Sequence, residues 1–497
     1  MGLTLACALA AQKVEVRVVD RAARPATTSR ANILHARGVE VLARLDALGD
    51  LPERSLAPLG MTMHVGDRPL ATVRFAPLRG QSTQALFVSQ ASVEEQLRCR
   101  LGALGVEVEW NRPLDGLEVH DHGVTAHLDG TRLHADWVVG CDGAHSTVRD
   151  LAAIDFPGVS VGERFLLADV HVDWDRSRDV SAGWFHRDGI LMAMPMPSPG
   201  QTRRETGTLW RLMAEVTAAP GEPHLTQQQI LDRFEQLVPH RSGQHARLGE
   251  AVWTSVFRIH RRLAADYRRG RVLLAGDAAH VHSPIGGQGM NTGIGDAENL
   301  AWKLALVVHG RADARLLDTY TAERRPLATW ILNATTANTR ILLGETLPAR
   351  LLRDRIMLPL LNLPAMQRAA TRSASQLDVT YRNGPLSARR GRSPHPGDRI
   401  GDLACLRADA TPTRLHAELG SRWALLAPQA TGTVEELATT ARAHLGDDVG
   451  VLRPQDATQH RDVLLVRPDG HLGWRGRTPA DLQRWLTETL GCTEKSR

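Results

Sequence analysis

Short apolar runs that stop abruptly at glycine and aspartate punctuate this chain. Residues 272–275 (Val-Leu-Leu-Ala) predict a buried strand ended by Gly276-Asp277, with a glycine-dense loop after it. Beyond the loop, Ile294, Ala297, Ala301, Leu304 and Ala305 recur at helical spacing and form one apolar face. Residues 137–140 predict a second strand of the same kind, leading through Cys141-Asp142-Gly143 to a helix start near Ser146. At the N-terminus, residues 3–12 predict a helix and residues 14–19 a strand that ends at Asp20. Apolar and alternating runs at 167–174, 190–196 and 208–213 predict strands of an antiparallel sheet, the last two as partners. Residues 462–475 predict a β-hairpin turned by Pro468-Asp469-Gly470.

The residues at the first strand end have a definite chemistry. A carboxylate there accepts hydrogen bonds from sugar-like hydroxyls, and glycines let the backbone approach a flat ligand closely. The N-terminus of the following helix adds free N–H groups and partial positive charge. This combination predicts a site for a large, anionic, polyhydroxylated cofactor. A bare turn is a poor alternative, because the five glycines between Gly286 and Gly295 would be entropically costly for that purpose. Cys-Asp-Gly alone is a common turn; about 130 residues before the Gly-Asp block, it becomes much more specific.

The block from Arg271 to Lys303 resembles the second FAD fingerprint of the para-hydroxybenzoate hydroxylase family, the single-component flavoprotein aromatic hydroxylases. The resemblance implies that Gly276 and Asp277 hold the ribityl chain of FAD. It places Pro284, Gly286, Gly287, Gln288, Gly289, Met290 and Asn291 along the isoalloxazine ring, where backbone N–H groups stabilise negative charge on reduced flavin. Residues 137–149 resemble the family's Asp-Gly motif, which implies that Asp142 and Gly143 touch FAD and the incoming nicotinamide, with Arg149 in support. Gly2-Leu3-Thr4-Leu5-Ala6 resembles the end of a Gly-x-Gly-x-x-Gly fingerprint, with Gly2 as its third glycine and Asp20 as the acid for adenosine ribose. The first strand and the first two glycines do not precede it. Three explanations stay open: a misassigned start, a shortened form with impaired FAD binding, or another element filling the gap. Residues 28–31 and 35–40 resemble the family segment whose arginine reaches the FAD phosphates, which implies that role for Arg30 or Arg37; ordinary surface arginines are the alternative. Gln90 resembles a cofactor-contacting glutamine, although a helix start rich in Ser and Gln needs no ligand to explain it.

The fold class implied is α/β: a Rossmann-like FAD-binding domain with its first strand apparently missing, an inserted antiparallel-sheet substrate domain, and a thioredoxin-like C-terminal domain. Residues 1–60, 90–155 and 255–345 are expected to build the FAD domain, 61–89 and 156–254 the substrate domain, and 346–394 a helical linker region. Residues 395–497 resemble the thioredoxin-like tail of phenol and polyketide hydroxylases. They lack a redox cysteine pair, so a packing or homodimer role is expected instead. Three methionines in 190–196, with Trp184 and Trp210, fit either an aromatic-substrate pocket or plain core packing.

Composition narrows the function. The net charge is +5, yet lysine is scarce, aromatics are 4% and the arginines are interspersed with acids, so nucleic acid is not an expected partner. No apolar run approaches 18 residues, so no membrane span is expected, and the absence of a basic n-region argues against a signal peptide. Five scattered cysteines without a Cys-x-x-C fit a reducing cytoplasm, and no metal site is expected. The activity implied by the resemblance is hydroxylation of a small aromatic substrate, phenolic or of polycyclic polyketide type. It would use FAD, NADPH or NADH, and O2, through a flavin C4a-hydroperoxide. In that chemistry no residue of the chain needs to act as a nucleophile. Baeyer–Villiger or epoxidising chemistry on the same scaffold, or a non-catalytic flavoprotein-like binding protein, are the alternatives.

Overall fold

The computed structural model describes the chain apart from residues 30, 57–59, 75–82, 198–207, 217–224, 284–285, 344–345, 388–392, 429–431, 456–461 and 492–497, and the side chains of 160–163 and 334–343. Arg30 and Pro284, two of the candidate cofactor contacts, lie outside the described residues.

The two apolar runs that end in glycine and aspartate are neighbours. Strand Val272–Leu274 pairs in parallel with Val138–Gly140, and Arg268–Arg269 adds an antiparallel edge. All three residues of Val272–Leu274 are fully buried, as expected for a strand covered on both faces, where alternation disappears. A separate parallel pair joins Val18–Val19 to Val108–Glu109. Among the described residues these two small sheets share no ladder, and Val138–Gly140 and Val18–Val19 each have a single strand partner. Helices Gly2–Ala11, Gln90–Ala103 and Gln288–Val308 fill one core with them. The Cys7 thiol donates to the Leu97 carbonyl at 3.3 Å, tying the first two helices together.

An eight-stranded sheet stands over this unit. Its order is His280–Val281, Arg247–Leu263, Gly158–Asp173, Leu209–Val216, Gly189–Pro195, Val180–His186, Gly60–Val65, Arg68–Arg74. The run at 190–196 pairs with the run at 208–213, as the sequence predicts. Side chains alternate across a strand, and the two faces have different fates here. Trp184, Leu191, Ala193, Trp210 and Leu212 pack under helix Gln227–Ser242 against Ile230, Phe234 and Val238. Their neighbours Gly183, Phe185, Met192, Met194, Arg211 and Met213 face a cavity on the other side. The helix is held in place by a Thr226/Gln229 capping box and ends at Gly243 in the left-handed conformation.

The C-terminal unit is a six-stranded mixed sheet, ordered Pro412–Arg414, Ala404–Leu406, Val449–Pro454, Trp423–Leu426, Val463–Val466, Leu472–Gly476, with helices Gly432–Leu445 and Pro479–Leu490 packed on it. The predicted hairpin is present, with Gly470 at φ +75° in its turn. That turn docks on the rest of the molecule through buried charges. Arg467 pairs with Glu323 (2.8 and 3.0 Å) and with Asp469, and Lys303 also pairs with Glu323 (2.8 Å). Trp302 donates its indole N–H to Asp469.

Candidate active site

The Gly-Asp turn is built from a buried carboxylate that is not part of it. Gly276 adopts φ +63° and donates its N–H to Asp296, which lies about two turns into helix Gln288–Val308. Asp296 is 1% exposed and also accepts from His280 Nε2 at 2.6 Å and Arg324 Nε at 2.7 Å. Burial alone would raise its pKa; the charges of His280 and Arg324 outweigh burial and hold the carboxyl at about 2. Arg324 further donates to Thr292 O and the Tyr381 hydroxyl. Helix Asp318–Leu343, which carries Arg324, thus clamps the turn directly.

The loop ahead of the helix is pinned the same way. Gly286 and Gly287 have φ +96° and +64°, a region where a side chain is strained. Asn291 donates to Ile33 O and Gly287 O and accepts the His35 N–H at 2.7 Å, while His35 Nε2 meets Gly286 O at 3.1 Å. At Gly38 a Cβ would lie 2.8 Å from Asn291 Oδ1, so this close approach requires glycine. Helix Gln288–Val308 carries no acid in its first turn, which leaves its positive end available to an anion.

The Asp-Gly turn joins from the neighbouring strand. The Asp142 carboxylate accepts the Ser146 hydroxyl (2.5 Å) and the Val148 N–H (3.0 Å), capping the short helix Thr147–Leu151. Arg149 bridges the two turns through Ala144 O and Ala278 O and stacks on Phe156.

Between loop and sheet lies a cavity of about 1690 Å³, larger than the few hundred to about 1,000 Å³ usual for a single small ligand. Its floor includes Gly143, Gly276, Asp277, Gly287, Gly289 and Met290, with Gln90 at one side. Its roof presents Met61, Met63, Met192, Met194 and Met213 with Phe185, Trp253 and Phe257. The sequence alternatives for this region are thereby divided: Met192 and Met194 line the cavity, whereas Trp184 and Trp210 belong to the core under the helix.

The remaining candidates sit elsewhere. Arg37 is 5% exposed and is engaged by Glu298 (2.7 Å), Glu40 (3.3 Å) and the carbonyl of Asp469 (2.6 Å); it does not line the cavity. Its fork docks the C-terminal unit, and its phosphate role has no support here. Asp20 is exposed at its strand end and accepts the Ala22 N–H. Gly2 begins the first helix beside Cys141, and the Met1 side chain packs on Gly276 and Gly293. Sequence reasoning missed Asp296, Arg324 and His35 as builders of the site. His282 also lines the cavity, and its buried Nε2 has no hydrogen-bond partner among the described residues.

These histidines yield a pH prediction. Burial lowers His35 to about 4, opposed only by the Gly286 carbonyl; burial, then the charge of His280, lowers His282 to about 3. The unfolded chain takes up these protons near pH 6.5 and the folded chain does not. Stability is therefore full above about 6.5 and falls as the pH drops toward 4, by about 2 kcal/mol per histidine at pH 5. Urea midpoints at pH 7.5 and 5 should show this fall, and His282→Gln should reduce it. A midpoint independent of pH over that range would contradict the assignment.

Residues 1–335 match the family model described as FAD binding domain, and residues 393–492 that of the aromatic-ring hydroxylase C-terminal domain. The 6-methylpretetramide 4-monooxygenase of Streptomyces rimosus is 34% identical, the alignment covering 96% of this chain and 89% of the relative. The rifampicin monooxygenase of Streptomyces venezuelae is also 34% identical, over 97% and 94%. The solved structure of CabE, an aromatic hydroxylase from angucycline biosynthesis, superposes with a TM-score of 0.80 at 30% identity, covering 99% of this chain and 97% of that one. The chain belongs to the para-hydroxybenzoate hydroxylase-like family of FAD-dependent aromatic monooxygenases. FAD is its cofactor. The left-handed glycines, the unopposed helix N-terminus and the size of the cavity fit that group.

Proposed function

We propose that the protein hydroxylates a polycyclic, electron-rich phenol of polyketide type, with NADPH or NADH as reductant. The carrying observation is the cavity itself: room beyond one cofactor, closed above by five methionines and aromatic rings. Unbranched thioethers adapt to large planar ligands. The names of the pretetramide and rifampicin relatives support the same substrate class. Bound FAD supplies electron acceptance from the nicotinamide and activation of oxygen. The chain supplies position, a dry roof and donors. Gly276 and Asp277 would hold the ribityl chain of FAD, and Gly287, Gly289, Met290 and Asn291 would lie along its ring system, with Gln90, Asp142 and Gly143 beside it. Gly2 and Asp20 would serve its adenosine end.

In this reading the parallel strand pairs with their helices form a Rossmann-like FAD domain, the eight-stranded sheet is the substrate domain, and the C-terminal unit is thioredoxin-like without redox chemistry. A cytoplasmic enzyme, working as a homodimer, completes the proposal.

The test starts with FAD added to the purified chain and the excess removed. Retained bands near roughly 370 and 450 nm, and NADPH oxidation that accelerates with a polycyclic phenol and yields its hydroxylated product, are expected. A colourless protein, or NADPH oxidation indifferent to every such phenol, would overturn the proposal. Asp277→Ala should lower FAD affinity at least tenfold in the same assay, and unchanged retention would remove the residue from the site.

A further inference from the structure

Outside the residues assigned to the cofactor, the two-residue turn between strands Val180–His186 and Gly189–Pro195 brings three donors together with the end of the neighbouring helix. His186 and Gly189 are paired across the hairpin, so Arg187 and Asp188 form its tip. His240 reaches the tip from the last turn of helix Gln227–Ser242. Its Nε2 lies 3.0 Å from Asp188 Oδ2, and His186 Nδ1 lies 3.4 Å from the same oxygen. One ligand atom from each residue falls within 4.8 Å of the others. In a tetrahedral zinc site, bonds of about 2.0–2.1 Å place neighbouring ligand atoms about 3.3 Å apart. The two observed separations bracket that value.

We propose that His186, Asp188 and His240 form a zinc-binding site that staples this hairpin to the helix beneath it. Two imidazoles and one carboxylate are a borderline set suited to Zn2+ rather than to Ca2+ or Mg2+. Three protein ligands leave the fourth position to water.

The site is preorganised by the residue next to His240. Arg241 is 3% exposed and donates to the carbonyls of Asp188 (2.6 Å) and Ile190 (2.8 Å), fixing the turn against the helix end. Gly189, at φ +113°, keeps the turn close: a Cβ there would stand 3.3 Å from Arg241 Nη2. The remaining neighbours are weak competitors. The Asp188 N–H approaches His186 Nδ1 at 3.2 Å, and Arg187, mostly exposed, stands 3.7 Å from the carboxylate and can swing into solvent. The consequence of loading is mechanical, because the two strands that meet at this turn carry Phe185, Ile190 and Met192 into the cavity roof. The site lies outside the FAD residues, so binding can be read without turnover.

The experiment titrates the FAD-loaded protein with ZnCl2 against a chromophoric chelator and follows thermal unfolding in parallel. One equivalent bound, with a rise in melting temperature, is expected. His240→Ala and His186→Ala should each weaken binding at least tenfold and abolish the rise, while flavin absorption stays unchanged as the sign of an intact fold. Asp188→Asn should weaken binding similarly. Co2+, whose ligand-field bands lie to the red of the flavin, gives a second reading of the same site on the unmutated protein. Zinc binding of equal strength in the His186→Ala/His240→Ala double variant, or no ligand-field bands with Co2+, would overturn the proposal.

Discussion

Asp296→Ala is expected to destabilise the protein by about 3–5 kcal/mol, because it leaves the buried Arg324 guanidinium without its carboxylate. The loss goes beyond the ion pair. The same carboxylate accepts the Gly276 N–H and the His280 ring, so the Gly-Asp turn loses its anchor from the helix side. FAD affinity should fall together with the urea midpoint. Asp296→Asn keeps an acceptor without the charge and should land between the two. Its low pKa adds a direction: the carboxylate contributes stability that is present above the unfolded value near 3.9 and is lost as the pH falls toward about 2. An Asp296→Ala protein with the parental midpoint and FAD affinity would show that the turn stands without this support.

The second large effect is expected at Arg467. Its guanidinium is 1% exposed and divided between Glu323 and Asp469. Arg467→Ala strands two buried carboxylates, with Lys303 left to compensate one of them; a loss of about 3–5 kcal/mol is expected. Pairing Arg467→Met with Asp469→Asn should recover part of that loss, since it removes the carboxylate that Lys303 does not compensate and leaves the Lys303–Glu323 pair intact. A double-mutant cycle checks this, and additive losses would show that the two residues do not depend on each other. Hydrogen exchange should also show strand Trp423–Leu426 opening more readily in the single variant, because the hairpin that carries Arg467 pairs with it.

Both residues mark the boundary of what could be read from sequence. The strand ends at Gly140 and Gly276, the glycine loop and the 462–475 hairpin are local patterns: a few residues' spacing states the element and its turn. Asp296 and Arg324 were not legible, because each sits on a helix where a charged residue is ordinarily solvated, and only packing sets them beside each other. Arg37 illustrates the converse. Its neighbourhood resembles a phosphate contact, but its partner is a carbonyl 432 residues away in a different unit, and no local pattern announces that distance. At the roof, period-two alternation separates Met192 and Met194 from Leu191 and Ala193, but it does not say which set meets a ligand. The helix over Trp184 and Trp210 decides that. The zinc-ligand set was invisible for the same reason as Asp296: His240 lies 52 residues from Asp188.

The bonds that hold the C-terminal hairpin have a consequence for how such enzymes diversify. Glu323, which receives Arg467, is the direct neighbour of Arg324, which holds Asp296 under the cofactor turn. Arg37 and Arg399 carry the same contact surface to Glu298 and Glu40. A transplanted tail that lacked these acids and bases would leave several charges buried alone. Recombination between lineages should therefore retain the tail with its own cofactor helices, and new specificities should arise by substitution in the methionine roof, which the tail does not touch among its described ion pairs.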